Sequence, residues 1–178
     1  MNSINKEQEE TNEENLHNKE AVKKIKELVK SAKTCFFCTN LQSNQPFSTR
    51  PMAVQTVDDE GNLWFLSASD SKQNLEIQTN SRVQLLFQGD PHTDFMSLFG
   101  QATISRDKNK IKELWEPLAK TWFTEGEDDP RITVIKVSPS EGYYWDTKHG
   151  KFVAFAKMAV GAMLGKTMDD SIEGTLKP

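Results

Sequence analysis

The sequence predicts a mainly β fold, a small antiparallel β-barrel decorated with helices, and three observations support this class. Short runs rich in Val, Phe, Thr and Trp alternate with turn clusters such as "QSNQ" and "DDEG". About six or seven such strands are interrupted by three helical segments, without the regular strand and helix alternation of a parallel sheet. Neither glycine-rich nucleotide-binding pattern, G-x-G-x-x-G or G-x-x-x-x-G-K-S/T, occurs in the chain.

The composition fits one globular domain in the cytoplasm. The chain has 178 residues, of which 27% are charged, and a chain of this size buries roughly two-thirds of its unfolded surface. The formal net charge is -4 and the pI is near 5.5, whereas nucleic-acid surfaces need clustered Lys and Arg. The N-terminal segment is acidic and polar, and no run of about 18 apolar residues occurs. We therefore expect no nucleic-acid partner, no secretion signal and no membrane span.

The two cysteines, Cys35 and Cys38, form a C-x-x-C pattern in "TCFFCT". Redox-active pairs of this kind lie at a helix N-terminus that lowers a thiol pKa, but here the neighbouring residues are strand formers. We therefore predict a strand interior and a reducing compartment. The histidines His17, His92 and His149 have no ligand spacing relative to the cysteines, so the sequence predicts no metal site.

The predicted domain organisation has three parts. Residues 1–17 contain almost no apolar side chains and are expected to form a disordered arm. Residues 18–157 form the folded domain, and residues 158–178 form a C-terminal tail. The domain begins with an amphipathic helix from Asn18 to Lys33, because its apolar residues recur at helical spacing on a Lys/Glu background.

After this helix the apolar pattern changes to a period of two. The turn from Asp58 to Gly61 is typical of a hairpin in which glycine adopts a positive φ. The strands on either side of this turn are therefore expected to pair in antiparallel fashion. Strands are predicted in "KTCFFCTNL", "FSTRPMAVQTV", "NLWFLSAS", "RVQLLFQ", "TDFMSLFGQATISR", "RITVIKVSPSEGYYWD" and "KFVAFAK".

Two further helices are predicted between the strands. The first begins at an N-cap that is either Asp70 or Ser71. Its expected buried positions are Leu75 and Ile77. The second lies in "DKNKIKELWEPLAKTWF", where Pro117 should kink the helix or mark its last turn.

The predicted hairpin brings cationic and hydroxyl side chains together. A residue near the start of its first strand lies beside one near the end of its second, so Arg50 can approach Ser67 and Lys72. Arg50 offers a planar fork of donors and Lys72 an ammonium group. Ser67 and Ser71 add hydroxyls, and the helix that opens after Asp70 adds unpaired backbone N–H groups. Such donors converge naturally on a phosphate.

Apolar residues on both strands flank these donors and would form a wall for a planar heterocycle, whose edge the backbone groups could read. A phosphate-bearing aromatic cofactor fits this arrangement. The residues also leave a second interpretation open, in which Arg50 forms a surface ion pair with Asp58 or Glu76 and Trp64 belongs to the core. The flanking apolar residues are Pro51, Met52 and Val54 on the first strand, and Trp64, Phe65 and Leu66 on the second.

Several motifs occur in the same order as in one family of flavoproteins. They are Thr-Arg-Pro-Met-Ala, Leu-Trp-Phe-Leu, "SASDSK", "IQTNSRVQLLF" and "FMSLFGQATI". The chain resembles the pyridoxamine 5'-phosphate oxidase-like FMN-binding split barrels and is most similar to their general stress protein 26 branch. The later segment "IKELWEPLAKTWFTEGEDDPRITVIKVSPSEGYYWD" is similar to that branch too, so the resemblance covers roughly residues 20–165.

The resemblance implies a six-stranded antiparallel split barrel and a homodimer that holds FMN in a cleft between its subunits. Carried over to this chain, Arg50 and Lys72 would hold the phosphate, with Ser71 and Gln73 nearby. Further residues implied at the cofactor are Pro51, Met52 and Ala53, which would line the flavin ring, and Leu66 with Ser67, which would contact it through backbone and hydroxyl groups.

The resemblance also assigns two positions near the subunit interface and sets a limit on the substrate. Phe95 stands where a hydrogen-bonding residue is often found, and Trp145 is similar to a residue at the edge of the flavin ring. The chain ends "GKTMDDSIEGTLKP" and lacks the Trp and Arg-x-His element that grips the substrate in true pyridoxamine 5'-phosphate oxidases. We therefore do not expect oxidation of vitamin B6. Glu125, Asp128, Asp129, Asp146 and His149 are expected in solvated turns, so the catalytic residues stay unknown.

Two main functions follow from this resemblance. The first is a flavin-dependent oxidoreductase that acts on a small molecule or on NAD(P)H, with the flavin carrying the redox chemistry. The alternative is a non-catalytic protein that stores or senses FMN. A third option is a deazaflavin or haem binder on the same barrel.

Overall fold

The computed structural model describes residues 12–41, 44, 46–89, 94–147 and 170–178. Its helices are α1 (Asn18–Ala32), α2 (Lys72–Thr79) and α3 (Lys108–Leu114), with 3-10 turns at Pro117–Thr121 and Gly126–Asp128. Its strands are β1 (Leu16–His17), β2 (Thr34–Thr39), β3 (Ser48–Ala53), β4 (Thr56–Val57), β5 (Leu63–Ala68), β6 (Arg82–Gln88), β7 (Phe95–Ser105), β8 (Ile132–Thr147) and β9 (Ser171–Lys177). In this described part of the chain, no helix has the length and apolar character that a membrane crossing requires.

The sheet closes around the core through one bent strand. β2 pairs with β3 on one side and β6 on the other, and the ladder continues through β7 and β8 to β5. β5 pairs in turn with β4, which follows β3 in the chain. If β3 and β4 are counted as one bent strand, six strands surround the core, and β9 and β1 extend the sheet beyond β8. The predicted mainly β split-barrel class is therefore confirmed, although the described residues form nine strands where six were predicted, and β1 pairs with β9 in parallel.

The bend between β3 and β4 changes the hydrogen-bonding partner of the chain. The Val54 N–H donates to the Lys33 carbonyl at 3.0 Å, before β2, whereas the Gln55 N–H donates to the Trp64 carbonyl of β5 at 2.8 Å. Only the part after the bend therefore pairs across the turn, while Arg50 lies in the part that pairs with β2. The predicted hairpin is correct for β4 and β5 but wrong for Arg50, because closing a small barrel makes one strand bend between two neighbours.

The turn between β4 and β5 is held by Asp58. Its carboxylate accepts hydrogen bonds from the backbone N–H groups of Glu60 at 3.0 Å and Asn62 at 2.9 Å, and from the Trp64 indole at 2.9 Å. Burial acts to raise the pKa of Asp58, but the hydrogen bonds outweigh it and hold that pKa below its usual range. Gly61 has a φ of +82°, which confirms the predicted positive φ.

The barrel interior holds the main hydrophobic core. Phe37 of β2 and Phe65 of β5 are fully buried, and their rings meet edge to face with centroids 5.2 Å apart. Cys35 and Cys38 are buried in β2, which confirms the predicted strand interior. Burial, with a smaller contribution from Cys38, raises the pKa of the Cys35 thiol. Cys35 is therefore an unreactive core residue.

A smaller core lies between the barrel wall and α3. Trp64 and Leu66 of β5 pack against it with their side chains half-buried. α3 ends at Leu114, and Pro117 opens a 3-10 turn, because proline fits the first position of a helical turn but not its interior. The buried members of this core are Ile111, Leu114, Phe123, Ile132 and Val134.

The described part of the predicted disordered arm, residues 12–17, lies in the sheet instead. Leu16 is buried, β1 pairs in parallel with β9, and the Glu14 N–H donates to the Glu173 carbonyl at 2.9 Å. β9 pairs with the second half of β8, so part of the predicted tail is a strand. Burial of an apolar side chain against an open strand edge explains the difference. Residues 1–11, His92, His149 and the predicted strand "KFVAFAK" lie outside the described residues.

The helix α2 begins after Ser71, one of the two predicted N-caps, whose hydroxyl accepts from the Asn74 N–H at 3.2 Å. Ile77 is buried as predicted, but Leu75 is 57% exposed, and Gln73 and Asn74 are buried in its place. The prediction for Leu75 was wrong because residues two apart do not share a helix face, whereas residues three or four apart do. α2 therefore turns two amide side chains toward the barrel.

Candidate functional site

Several predicted cofactor residues come together where β3, β5 and the start of α2 meet. Arg50 Nη2 lies 2.7 Å from Glu76 Oε2, and Lys72 Nζ lies 3.7 Å from Glu76 Oε1. The hydroxyl oxygens of Ser67 and Ser71 are 3.2 Å apart. We name Arg50, Ser67, Ser71 and Lys72 the cationic corner. Its cations are linked through α2 and not through hairpin pairing.

Glu76 is the anion of the cationic corner. Its carboxylate accepts hydrogen bonds from Thr39 Oγ1 at 2.5 Å, Ser48 Oγ at 2.7 Å and Arg50 Nη2 at 2.7 Å. Burial acts to raise the pKa of Glu76, but the bonds from Thr39, Arg50 and Ser48 outweigh it and lower the pKa to about 2. Glu76 is therefore an anion at any physiological pH.

This contact realises the second interpretation of Arg50, as an ion pair with Glu76, although the pair is not a surface pair. The Arg50 side chain is only 22% exposed and that of Glu76 only 13%. Of the contacts to Glu76, only the one with Lys72 has a local sign in the sequence, because these two residues stand four apart on a helix. The contributions of Thr39 and Ser48 carry no such local sign, since these residues come from β2 and β3.

A hydrogen-bond chain anchors the start of α2 to the barrel. Asn74 Nδ2 donates to Thr133 Oγ1 at 2.8 Å, and Thr133 Oγ1 donates to the Ser67 carbonyl at 2.8 Å. Asn74 and Thr133 are both buried, with exposures of 1% and 2%. The position of Ser71 and Lys72 is therefore fixed by buried polar contacts to β5 and β8. Sequence reasoning missed Asn74 and Thr133, because the contact spans 59 residues.

Two buried donors on predicted phosphate residues have no partner. Among the described residues, the buried side-chain atoms without a hydrogen bond are Arg50 Nη1, Gln73 Nε2 and Asn74 Oδ1. An unpaired buried donor costs about 1–3 kcal/mol, so native structures seldom leave one without a purpose. Arg50 and Gln73 are both predicted phosphate residues, and both atoms are N–H donors. These two donors, though not the Asn74 oxygen, therefore fit an oxygen-rich anion such as a phosphate.

The residues predicted to line a flavin ring divide between two surfaces. Pro51 and Ala53 are exposed on one face of β3, while Met52 points the other way and packs against the main core. Leu66 packs against the smaller core beneath α3, and the neighbouring Ser67 is buried on the opposite face of β5. Trp64, Phe65 and Leu66 all belong to the two cores, so their side chains are not available to form the predicted apolar wall.

Phe95 and Trp145 lie directly opposite each other across β7 and β8. Trp145 is 43% exposed, and its ring centroid lies 4.8 Å from that of Tyr143. β2 and β6 separate β7 from β3, so three strand spacings, about 14 Å, lie between Phe95 and the strand of Arg50. One copy of the chain therefore does not bring this aromatic pair to the cationic corner.

These residues belong to an outward-facing apolar surface. The register aligns Pro51 with Phe36, Phe36 with Leu86, and Leu86 through Ser97 with Tyr143. Phe36 is 55% exposed, and directly paired residues share a face of the sheet. We name this surface the outer aromatic face. Its members are Phe36, Pro51, Leu86, Phe95, Tyr143 and Trp145.

Two of the acidic residues considered as possible catalytic groups form hydrogen bonds with basic side chains. Asp146 accepts a hydrogen bond from Lys24 Nζ of α1 at 3.0 Å. Asp129 accepts from Arg131 Nη2 at 2.8 Å, and this side chain and the Arg131 backbone N–H hold the pKa of Asp129 below its usual range. Neither carboxylate forms one of these contacts with a residue of the cationic corner, so within the described residues they do not indicate a general base at the predicted site.

A separate cavity of about 380 Å³ lies between α2, the end of β7 and the start of β8. Asn74, Ile77, Ile104 and Thr133 line it, with Arg106 at its margin. No residue of the cationic corner lines this cavity. The cavity is connected to the cationic corner through Asn74 and Thr133, whose contact supports the start of α2.

A sequence profile described as "Pyridoxamine 5'-phosphate oxidase like" matches residues 20–169. This span is most of the chain, so the protein belongs to the pyridoxamine 5'-phosphate oxidase-like family. The family inferred from the ordered motifs is therefore confirmed. Protein bli-3 of Neurospora crassa is 24% identical over 127 residues, which cover 66% of this chain and 61% of that protein.

Solved structures share the fold. A protein bearing the name general stress protein 26 from Jannaschia sp. CCS1 gives a TM-score of 0.73 at 22% identity, covering 88% of this chain and 97% of that one. General stress protein 26 from Bacillus anthracis str. Sterne gives 0.60 at 22% identity, covering 69% and 92%. The general stress FMN/FAD binding protein from Xanthomonas citri gives 0.58 at 24% identity, covering 68% and 84%. At these identities the likeness shows a common fold.

Proposed function

We propose that the chain is a cytoplasmic FMN-binding protein that forms a homodimer. The observation that carries the proposal is the pair of buried, unpartnered donors, Arg50 Nη1 and Gln73 Nε2, in a chain of this family. A terminal monophosphate supplies several acceptor oxygens for such donors. The Xanthomonas citri structure, named for FMN/FAD binding, supports a flavin as the bearer of that phosphate.

The residues of this chain would divide the binding task. Arg50 and Lys72 would hold the phosphate, helped by the Ser71 hydroxyl, by Gln73 and by free N–H groups at the start of α2. Leu66 would contribute through its backbone, because its side chain is committed to the smaller core. The remaining contacts would come from Ser67 and from Pro51 and Ala53, which would line the ring, while Met52 would contribute through its backbone because its side chain packs against the main core.

The homodimer would complete the cofactor site. The cationic corner and the Phe95–Trp145 pair lie on different parts of one chain, so a second copy is needed to bring one to the other. The outer aromatic face supplies an exposed apolar surface for that contact. In this arrangement Phe95 and Trp145 of one subunit would cover the flavin held by the other.

The chemistry of the proposed complex is that of an oxidoreductase. A bound flavin supplies hydride or electron transfer, and the protein orients it and excludes water from its ring. NAD(P)H or a small molecule would be the reductant or substrate. A storage or sensor role is the second candidate, and one observation favours it, because Glu76 places an anion against the cations that would hold the phosphate.

The first test is cofactor binding. The purified protein is titrated with FMN and with riboflavin while flavin fluorescence is recorded, and any molecule released by heat is identified by mass. Arg50→Ala and Lys72→Ala should each weaken FMN binding about tenfold or more, because a charged hydrogen bond contributes about 1.5–3 kcal/mol. Arg82→Ala, which removes an exposed arginine from β6, is the matched control.

Two results would contradict the proposal. One is a protein that binds no FMN even at saturating concentration, and the other is an affinity for FMN that Arg50→Ala leaves unchanged. Anaerobic addition of NADPH or NADH separates the two functions. Bleaching of the flavin within seconds supports the oxidoreductase, whereas a flavin that neither nicotinamide reduces supports storage or sensing.

A further inference from the structure

Glu76 occupies the space between the two cations assigned to the phosphate. It takes Nη2 of Arg50 at 2.7 Å and lies 3.7 Å from the Lys72 ammonium. Hydroxyl donors also bind both carboxylate oxygens, Thr39 at Oε2 beside Arg50 and Ser48 at Oε1 beside Lys72. The carboxylate is therefore fixed in place by β2 and β3 as well as by its own helix.

The charges at the corner do not balance a phosphate monoester. Two cations against one anion leave a single positive charge, while a phosphate monoester carries about -1.5 to -2 at neutral pH. Arg50 can reach such a phosphate with Nη1, the nitrogen that Glu76 leaves without a partner. The phosphate and the carboxylate would then bind the same guanidinium and repel each other at short range.

We propose that Glu76 limits the affinity of the site for the phosphate and so makes FMN an exchangeable ligand of this protein. The inference rests on the proposed function, because it takes the cationic corner as the phosphate site. In this view Glu76 competes with the phosphate for Arg50 and Lys72, and the flavin leaves the protein faster than a permanently bound cofactor would. Such exchange fits a protein that takes up and hands over FMN.

The substitution Glu76→Gln isolates the charge of this residue. The glutamine oxygen can accept from Thr39 and Arg50 where Oε2 does now, and the amide group can donate to the Ser48 hydroxyl. Shape and hydrogen bonds are therefore kept while the negative charge is lost. Glu113→Gln is the matched control, because Glu113 also pairs with a lysine, Lys110, but on α3.

The experiment compares FMN with riboflavin, which has the same ring but no phosphate. The ratio of the riboflavin dissociation constant to the FMN dissociation constant reports the phosphate contribution alone. In Glu76→Gln this ratio should rise about tenfold, with slower FMN dissociation in stopped-flow displacement. Riboflavin affinity should stay near the wild-type value, and Glu113→Gln should leave the ratio unchanged.

A ratio that stays constant or falls in Glu76→Gln overturns the inference, and Glu76 then serves only to orient Arg50. If Glu76→Gln does not fold, Glu76→Met removes the same charge and is read in the same way. Failure of the proposed function looks different, because the wild-type protein would then not prefer FMN to riboflavin and Arg50→Ala would change neither affinity.

Discussion

At the scale of single residues, one partly buried carboxylate organises the predicted phosphate site. Glu76 is surrounded by the Arg50 guanidinium from β3, the Lys72 ammonium from α2, and the hydroxyls of Thr39 and Ser48. These groups stabilise the charged form of Glu76 in the folded protein. The unfolded chain offers no such partners, so the ionisation of this one residue is coupled to folding.

We expect this coupling to appear as a loss of stability in acid. The folded pKa of Glu76 is lowered from 4.5 to about 2, so its contribution is complete above pH 4.5 and is lost as the pH falls toward 2. The shift corresponds to up to about 3 kcal/mol. The free energy of unfolding should therefore be measured with urea between pH 7 and pH 3. The difference in this free energy between wild type and Glu76→Gln should become smaller in acid. A gap that is the same at both pH values would contradict this assignment.

At the scale of elements, the start of α2 depends on the contact between Asn74 and Thr133. Thr133→Val removes a hydroxyl that both donates to the Ser67 carbonyl and accepts from Asn74. We expect a loss of about 1–3 kcal/mol in the free energy of unfolding, because buried polar groups are left unpaired. Thr103→Val, on an exposed position of β7, should change it little.

Thr133→Val also tests whether the position of α2 matters for the cationic corner. If the buried contact positions Ser71 and Lys72, then Thr133→Val should also weaken FMN binding in the fluorescence titration at a temperature where the protein is fully folded. Equal FMN affinity in Thr133→Val and wild type would show that the start of α2 is held adequately by the Ser71 cap alone.

Local patterns in the sequence predicted several elements correctly, and each has a local cause. The helix α1 follows from apolar residues at helical spacing, the turn at Gly61 from its Asp-rich sequence, and the α2 N-cap from Ser71. The exposed position of Leu75 was missed because a spacing of two was used on a helix. These features depend on residues no more than one or two helical turns apart.

The features that could not be predicted depend on distant residues. The bend after β3 requires the Lys33 carbonyl and β5 as alternative partners. The order in residues 12–17 requires β9, where Leu16 pairs with Leu176. The family resemblance placed Arg50 and Lys72 at one site, but Glu76 was considered only as a surface partner, since burial of that pair depends on how α2 packs against the barrel.

At the scale of the whole molecule, the outer aromatic face determines assembly in our proposal. Trp145→Glu places a charge on this exposed surface, and we expect the dimer to dissociate, because desolvating an unpaired carboxylate in an interface is costly. Sedimentation velocity should show a monomer, and FMN affinity should fall with it. Trp122→Glu, which changes an even more exposed tryptophan at 66%, is the control.

Two outcomes would contradict the assembly. A wild-type protein that sediments as a monomer at micromolar concentration would remove the need for the outer aromatic face. A Trp145→Glu variant that is monomeric yet binds FMN as tightly as the wild type would show that one subunit forms the complete site.

The bent strand has a consequence for how the barrel is held shut. Before the bend, β3 has no ladder to β5 in the described part of the chain, so no sheet hydrogen bonds join these two strands there. A ligand can therefore bind between β3 and β5 without breaking sheet hydrogen bonds. Once bound, it would link the two strands. Ligand binding should then slow amide hydrogen exchange in β3 and β5, while the other strands of the barrel should exchange at the same rate as in the ligand-free protein.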